Sequence, residues 1–143
     1  MTMAAPKTHS VTKVIHFCYG HRLLGHRGKC RHLHGHNGRA VITLETPQLD
    51  SLGMVVDFTR LKQTIGAWID QTLDHQMLLH RDDPALPHLR QLGEPVFVLD
   101  VNPTAENIAK LIFDFTAKQG FPVVEVQLWE TENCFASYSQ STP

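Results

Sequence analysis

The sequence predicts an α+β fold: a four-stranded antiparallel sheet with two helices on one face, in the order β-β-α-α-β-β. Two observations carry this. Short segments alternate apolar and polar residues at period two, and two longer ones space apolar residues three and four apart behind a capping residue. At 143 residues, 42% of them hydrophobic, the chain is long enough for one core and too apolar to be disordered. No repeat, low-complexity tract or linker divides it, so one domain is expected over residues 1–143, with residues 1–10 as a flexible lead-in.

Residues 11–17 put Val11, Ile15 and Phe17 on one parity and read as a strand. Residues 38–45 alternate more cleanly, with Ala40, Ile42 and Leu44 on one face and Arg39, Thr43 and Glu45 on the other. Pro47 and Asp50-Ser51-Leu52-Gly53 make a turn, and residues 54–56 either prolong this strand or lead into a helix. Asp57 reads as the N-cap of that helix, whose apolar stripe is Phe58, Leu61, Ile65, Trp68, Ile69 and Leu73, ending near Asp74-His75. Residues 76–92 hold Pro84, Pro87 and Asp82-Asp83 and read as irregular, while residues 96–101 read as extended. Pro103-Thr104 opens a second helix carrying Ile108, Leu111, Ile112 and Phe115, stopped by Gly120 with Pro122 beyond. Val124, Val126 and Leu128 then alternate with Glu125, Gln127 and Trp129 in a third firm strand, and residues 135–138 form a short fourth.

Charge and composition exclude several functions. With 13 Lys+Arg against 14 Asp+Glu, a net charge of -1 removes the electrostatic case for binding nucleic acid or an anionic membrane. No apolar run approaches the ~20 residues of a membrane span, and residues 1–10 lack a signal-peptide core. Cys18, Cys30 and Cys134 are too few for a disulfide framework, so reduced thiols in the cytoplasm are expected. The unusual figure is ten histidines, with His16, His21, His26, His32, His34 and His36 crowded into residues 16–36. Any one of them alone reads best as an ordinary surface or core side chain, but a zinc site accounts for the crowding.

Parity narrows the candidates. His34 and His36 share the face of Ala40, Ile42 and Leu44 if the strand runs back without a bulge, with Cα atoms about 6.6–6.8 Å apart. His32 has the same parity but would lie roughly 13 Å from His36, too far to share one ion. His21 continues the first strand's apolar parity through Phe17 and Tyr19, so two neighbouring strands would offer His21, His34 and His36 to one point. Three histidines leave an open position, the catalytic pattern, unless Cys30 closes a structural site as a fourth ligand.

Three further groups bear on chemistry. Cys30 lies between Lys29 and Arg31, cations that favour a thiolate, whereas Cys18 and Cys134 read better as buried, inert thiols. Asp74 beside His75 could orient an imidazole, but adjacent helical residues do not face one another, so the pair would need a helix terminus or other partners. Glu130 continues the parity of Val126 and Leu128, placing a carboxylate on the core face, where it requires a partner. That partner is either a structural Arg or backbone amides, or a ligand with two adjacent N–H donors, such as the amidine edge of a pterin or guanine.

Six motifs in order give the chain a family resemblance from Val11 to Tyr138: Phe17-Cys18-Tyr19-Gly20-His21-Arg22-Leu23, Cys30-Arg31-His32-Leu33-His34-Gly35-His36-Asn37, Val56-Asp57-Phe58, Leu73-Asp74-His75, Asn102-Pro103-Thr104-Ala105-Glu106-Asn107 and Trp129-Glu130-Thr131. The sequence resembles the 6-pyruvoyl-tetrahydropterin synthase / 6-carboxytetrahydropterin synthase family. The resemblance implies a T-fold whose sheets assemble edge to edge into a barrel, as a trimer or hexamer with active sites between subunits. It implies one Zn2+ per subunit on His21, His34 and His36, with Cys30 as proton acceptor, Asp74 and His75 completing the catalytic group, and Glu130 anchoring the pterin. The three residues between Cys30 and His34 resemble the bacterial carboxytetrahydropterin branch, and retention of Cys30 argues against paralogues that carry Glu there and serve folate synthesis.

The activity implied is a zinc-dependent lyase converting 7,8-dihydroneopterin triphosphate to 6-carboxytetrahydropterin with release of acetaldehyde and triphosphate, a queuosine and deazapurine precursor step. The main rival is triphosphate elimination without carbon–carbon cleavage, giving 6-pyruvoyl-tetrahydropterin. A pterin hydrolase of cyclohydrolase type fits the motif order less well, and a non-catalytic zinc module would need four protein ligands including Cys30. Residues 76–102 look longer than in compact relatives and could form a rim over the site.

Overall fold

The computed structural model describes residues 3–4 and 7–140. It is an α+β fold on a mixed six-stranded sheet, in the order β4-β3-β1-β2-β5-β6. The strands are β1 (His9–His21), β2 (His34–Thr46), β3 (Gln76–His80), β4 (Val96–Leu99), β5 (Val123–Trp129) and β6 (Phe135–Ser139). The four expected strands form the antiparallel part, β1–β2–β5–β6. The expectation of only four is corrected by β3, which runs parallel to β1, and β4, which runs parallel to β3. Residues 76–80 hid their strand because Leu78 and Leu79 are both fully buried. A parallel strand covered on both faces shows an apolar run and no alternation. The lead-in expected over residues 1–10 lies partly outside the described residues, and β1 already begins at His9.

The first expected helix is real but interrupted. It runs as α1 (Phe58–Leu61), opens into a π turn over Lys62–Gly66 and resumes as α2 (Ala67–Thr72). Asp57 caps it by accepting from the Thr59 N–H at 2.9 Å. Leu61, Ile65, Ile69 and Leu73 are buried as expected, whereas Phe58, in the first turn, is half exposed. A short α3 (Ala85–Gln91) replaces the irregular segment expected there. Its Pro87 sits in the first turn, where a missing N–H costs nothing. Thr104 caps α4 (Ala105–Lys118) by accepting from the Asn107 N–H at 3.1 Å, and Gly120, at φ +88°, terminates it.

The long helices share one core with the sheet: Ile65, Ile69, Ile108 and Ile112 pack against Ala40, Ile42, Val126 and Leu128. Each buried Ile or Leu contributes roughly 1.5–3 kcal/mol relative to exposure. Trp68 stacks on Phe115 at 4.1 Å, joining helix to helix. In β5 the residue facing inward is Val123 rather than the expected Val124. Thr43 pairs with Glu125 and Leu44 with Val123, so Val124 is an extra residue in the ladder, a bulge that reverses parity at the strand's start. No such irregularity interrupts β1 and β2, which pair residue for residue from His9–Thr46 to His21–His34. That unbroken register carries the core face out to the histidines. Among the described residues, no helix is long and apolar enough to cross a membrane.

Candidate active site

At the end of the β1–β2 ladder, His21 lies directly opposite His34, and Tyr19 opposite His36. All three imidazoles emerge on one face, with donor atoms within 4.8 Å of one another and ring centroids 4.6–5.2 Å apart. The far nitrogens of two rings are fixed by backbone. His21 Nδ1 donates to the Pro103 carbonyl at 2.7 Å and His34 Nδ1 to the His32 carbonyl at 2.6 Å. Those bonds direct Nε2 of each ring toward the centre, the outer-shell arrangement of metal-bound histidines. His21 Nε2 and His36 Nε2 are buried without a hydrogen-bond partner. Buried orphans of this kind are costly, and a shared cation would satisfy both. Burial lowers the His21 pKa, against the pull of the Pro103 bond and Glu130, and so favours the neutral ring that a metal requires. The donor set and its orphaned nitrogens therefore fit zinc.

His32 contributes a carbonyl and no ring, in line with its rejection on distance. Cys30 sits on a single 3-10 turn, Lys29–Arg31, and lines a cavity of about 530 Å³ with the three histidines, Glu130 and the start of α4. Its sulfur is not among the clustered donors, so the structure gives no support to a closed four-ligand site. Glu130 faces this cavity, and the partner it required is neither an Arg nor a backbone amide. Tyr19 Oη donates to its Oε1 at 3.1 Å, and its two oxygens lie 3.8 Å from His21 Nε2 and 3.6 Å from His36 Nε2. Burial, then the charge of Glu130 and the bond to it, push the Tyr19 phenol far above its ordinary pKa, so it remains a donor. Gly38 allows this placement, because a Cβ there would meet the Tyr19 ring at 2.9 Å.

The Asp74–His75 pair forms just past α2, where the chain leaves the helix. His75 adopts φ +59°, a left-handed conformation costly for a side-chain-bearing residue. This bend removes the obstacle to adjacent residues meeting, and His75 Nδ1 lies 2.8 Å from Asp74 Oδ2. The Cys18 N–H donates to Asp74 Oδ1 at 2.8 Å, and the His75 N–H to the Cys18 carbonyl at 2.6 Å, tying the turn to β1. Burial opposes ionisation of Asp74, but the Cys18 N–H and the His75 ring hold its carboxyl below the usual value.

The structure does not bring Asp74–His75 to Cys30. His75 lines a second cavity of about 550 Å³ with Cys18, Asn37, Leu89 and Glu94, and His34 and His36 border both cavities. The long 76–102 segment therefore walls the His75 cavity and forms no rim over the histidine centre. It also secures the chain after His21, because buried Asp83 takes a two-pronged bond from Arg22, through Nε at 2.7 Å and through Nη2. Cys18 and Cys134 are exposed rather than buried: Cys18 points away from the core face of β1, and Cys134 lies in the turn before β6.

Several site features escaped the sequence reading. Tyr19 was visible by parity, but its bond to Glu130 depends on the ladder. The Pro103 carbonyl carries no side-chain signal at all. The near-zero net charge also concealed an asymmetry: Glu45 is the first acidic residue, while Lys7, Lys13, Arg22, Arg27, Lys29, Arg31 and Arg39 all precede it. Of these, Lys29 reaches the histidine cavity.

The family model described as 6-pyruvoyl tetrahydropterin synthase matches residues 10–141. A Rickettsia typhi protein named 6-carboxy-5,6,7,8-tetrahydropterin synthase is 40% identical over 135 residues, covering 87% of this chain and 95% of that one. An Aquifex aeolicus protein of the same name is 32% identical, covering 78% and 76%. Among solved structures, an uncharacterized protein from Wolinella succinogenes superposes with a TM-score of 0.80 at 28% identity, over 94% of this chain and 99% of that one. The Caenorhabditis elegans 6-pyruvoyl tetrahydropterin synthase matches at 0.70 and 24% identity over 97% and 100%, a likeness of fold.

Proposed function

Because this chain belongs to the 6-pyruvoyl tetrahydropterin synthase family, and is thus an enzyme of pterin-synthase type, we propose that it is a zinc-dependent 6-carboxy-5,6,7,8-tetrahydropterin synthase acting on 7,8-dihydroneopterin triphosphate. The observation that carries the zinc reading is the pair of orphaned Nε2 atoms on His21 and His36, beside a His34 ring oriented by backbone. The names of the bacterial relatives support the carboxy product.

His21, His34 and His36 would hold the ion, which when bound supplies Lewis acidity toward the substrate's side-chain hydroxyls. Cys30, on the same cavity as Lys29, takes the proton from the adjacent carbon. Glu130 accepts from the pterin's paired N–H donors, with Tyr19 steadying its Oε1. His75, oriented by Asp74, returns protons during tautomerisation. Triphosphate leaves, and one water adds to the side-chain carbonyl next to the ring, supplying the second oxygen of the 6-carboxylate as the carbon–carbon bond breaks and acetaldehyde is released.

In this reading the complete site is assembled between copies in a trimeric or hexameric barrel, the His75 of one chain meeting the Cys30 of another, and the placement of Cys30 and His75 on different cavities supports it. Free cysteines fit a reducing cytoplasm, and the product would serve as a queuosine or deazapurine precursor. Incubating the zinc-loaded protein with 7,8-dihydroneopterin triphosphate and identifying the products by mass tests this. Acetaldehyde with 6-carboxytetrahydropterin is expected; a 6-pyruvoyl product without acetaldehyde establishes the alternative.

A further inference from the structure

The segment between β4 and α4 bonds both His21 and the loop that follows it. Asn102 Oδ1 accepts from the Leu24 N–H at 2.8 Å, and Asn102 Nδ2 donates to the Leu24 carbonyl at 2.9 Å. This two-point match needs an amide, since a carboxylate has no donor for the carbonyl. One residue earlier, the Leu23 N–H donates to the Cys30 carbonyl at 2.8 Å, closing the loop onto the turn that carries the thiol. No residue of the 22–33 loop is buried, so packing alone does not order it. Asn102 is itself anchored, its carbonyl accepting from Asn107 Nδ2 of α4 at 2.9 Å. The next residue, Pro103, fixes His21 through its carbonyl. One short stretch mounted on a 14-residue helix thus grips a histidine of the centre directly and the Cys30 turn through Leu24 and Leu23.

We propose that Asn102 is the positioning residue that holds Cys30 at its working place relative to the histidine centre. The proposal rests on the reading of Cys30 as the proton acceptor. A misplacement of about 1 Å can cost ~10²-fold in rate without disturbing binding, so the effect should fall on kcat.

The test uses Asn102→Ala and Asn102→Asp in the zinc-loaded full chain. The readouts are Cys30 alkylation by iodoacetamide (separated from Cys18 and Cys134 by peptide mass mapping), kcat and KM, zinc content and thermal unfolding. The expected result is retained zinc and cooperative unfolding, KM within about threefold, kcat down roughly 10–100-fold and the Cys30 alkylation rate changed at least about fivefold, with Cys18 and Cys134 unmoved. Folded variants with unchanged Cys30 reactivity overturn the proposal, including variants whose kcat falls only with the folded fraction. In the parent protein, protected Leu23 and Leu24 amides in hydrogen exchange support the clamp; exchange as fast as at Gly25 overturns it, whatever the variants do. Cys30→Ala, assayed alongside, separates the two readings. Full turnover there refutes the proton-acceptor role, while a changed Cys30 reactivity in the Asn102 variants would still establish the clamp.

Discussion

His21 and His75 are both held by a single oxygen at Nδ1, yet the His21 side chain is 3% exposed and the His75 side chain 78%. The first belongs to a centre completed within one chain, where an unbroken antiparallel register sets three imidazoles side by side and backbone carbonyls direct two of them. The second belongs to a two-residue device, preformed by a strained turn but facing a cavity that lacks Cys30. Metal ligands must converge to within a few tenths of an ångström, which a paired sheet can provide. Orienting one imidazole takes a single acceptor, so a helix terminus suffices for Asp74–His75, and in the proposed assembly its counterpart comes from a neighbouring copy.

The largest effects should come from breaking the first region. His36→Ala removes one of two buried orphan nitrogens, and metal content and turnover should be lost together, measured by metal analysis and product formation. Chelation of the parent chain should stop turnover while circular dichroism keeps its folded signal, because none of the three histidines belongs to the apolar core of Ile42, Ile69, Ile112 and Val126. Unfolding on chelation would instead mark a structural zinc module.

Cys30→Ala should lower kcat by roughly 10²–10⁴-fold while zinc content stays at the parent level. Full turnover with zinc bound would remove Cys30 from the chemistry. This variant sharpens the comparison because Cys30 shares its cavity with the histidine centre but stands outside the β1–β2 ladder, on one turn with no buried residue.

The smallest effect is on stability, at the tie between the end of β1 and the 76–102 segment. Asp83→Asn should cost about 1–3 kcal/mol, read from denaturant unfolding at neutral pH. The bond from Arg22 holds the Asp83 carboxyl below its ordinary value. As pH falls, the unfolded chain therefore takes up the proton first. The contribution is fully present above the unfolded pKa of about 4 and is lost as pH drops through the folded value. The stability gap between parent and variant should thus be constant near neutrality and close in acid; a gap that widens in acid would contradict the assignment.

The contrast between the regions also explains what the sequence made legible. His21, His34 and His36 could be read because strand parity is a local rule and no bulge intervenes between His34 and Ala40. The same rule failed at Val124, where a bulge shifts the face, and at Leu78-Leu79, where a parallel strand is buried on both sides. The capping residues Asp57 and Thr104 and the stop at Gly120 were legible because their chemistry lies within a few residues. The Asp74–His75 contact was not, since it depends on a left-handed φ at a residue that is not glycine. Nor was the bond of Tyr19 to Glu130, which joins residues 111 positions apart.

The central claim, that the histidine–Cys30 cavity of one copy works with the Asp74–His75 pair of another, is tested most directly by mixing inactive chains. Cys30→Ala and His75→Ala should each be nearly inactive alone. Co-refolded in equal amounts they should regain roughly a quarter of the parent activity, the fraction of randomly paired interfaces that unite an intact Cys30 with an intact His75. Mixtures no more active than the separate variants would contradict a site shared between copies.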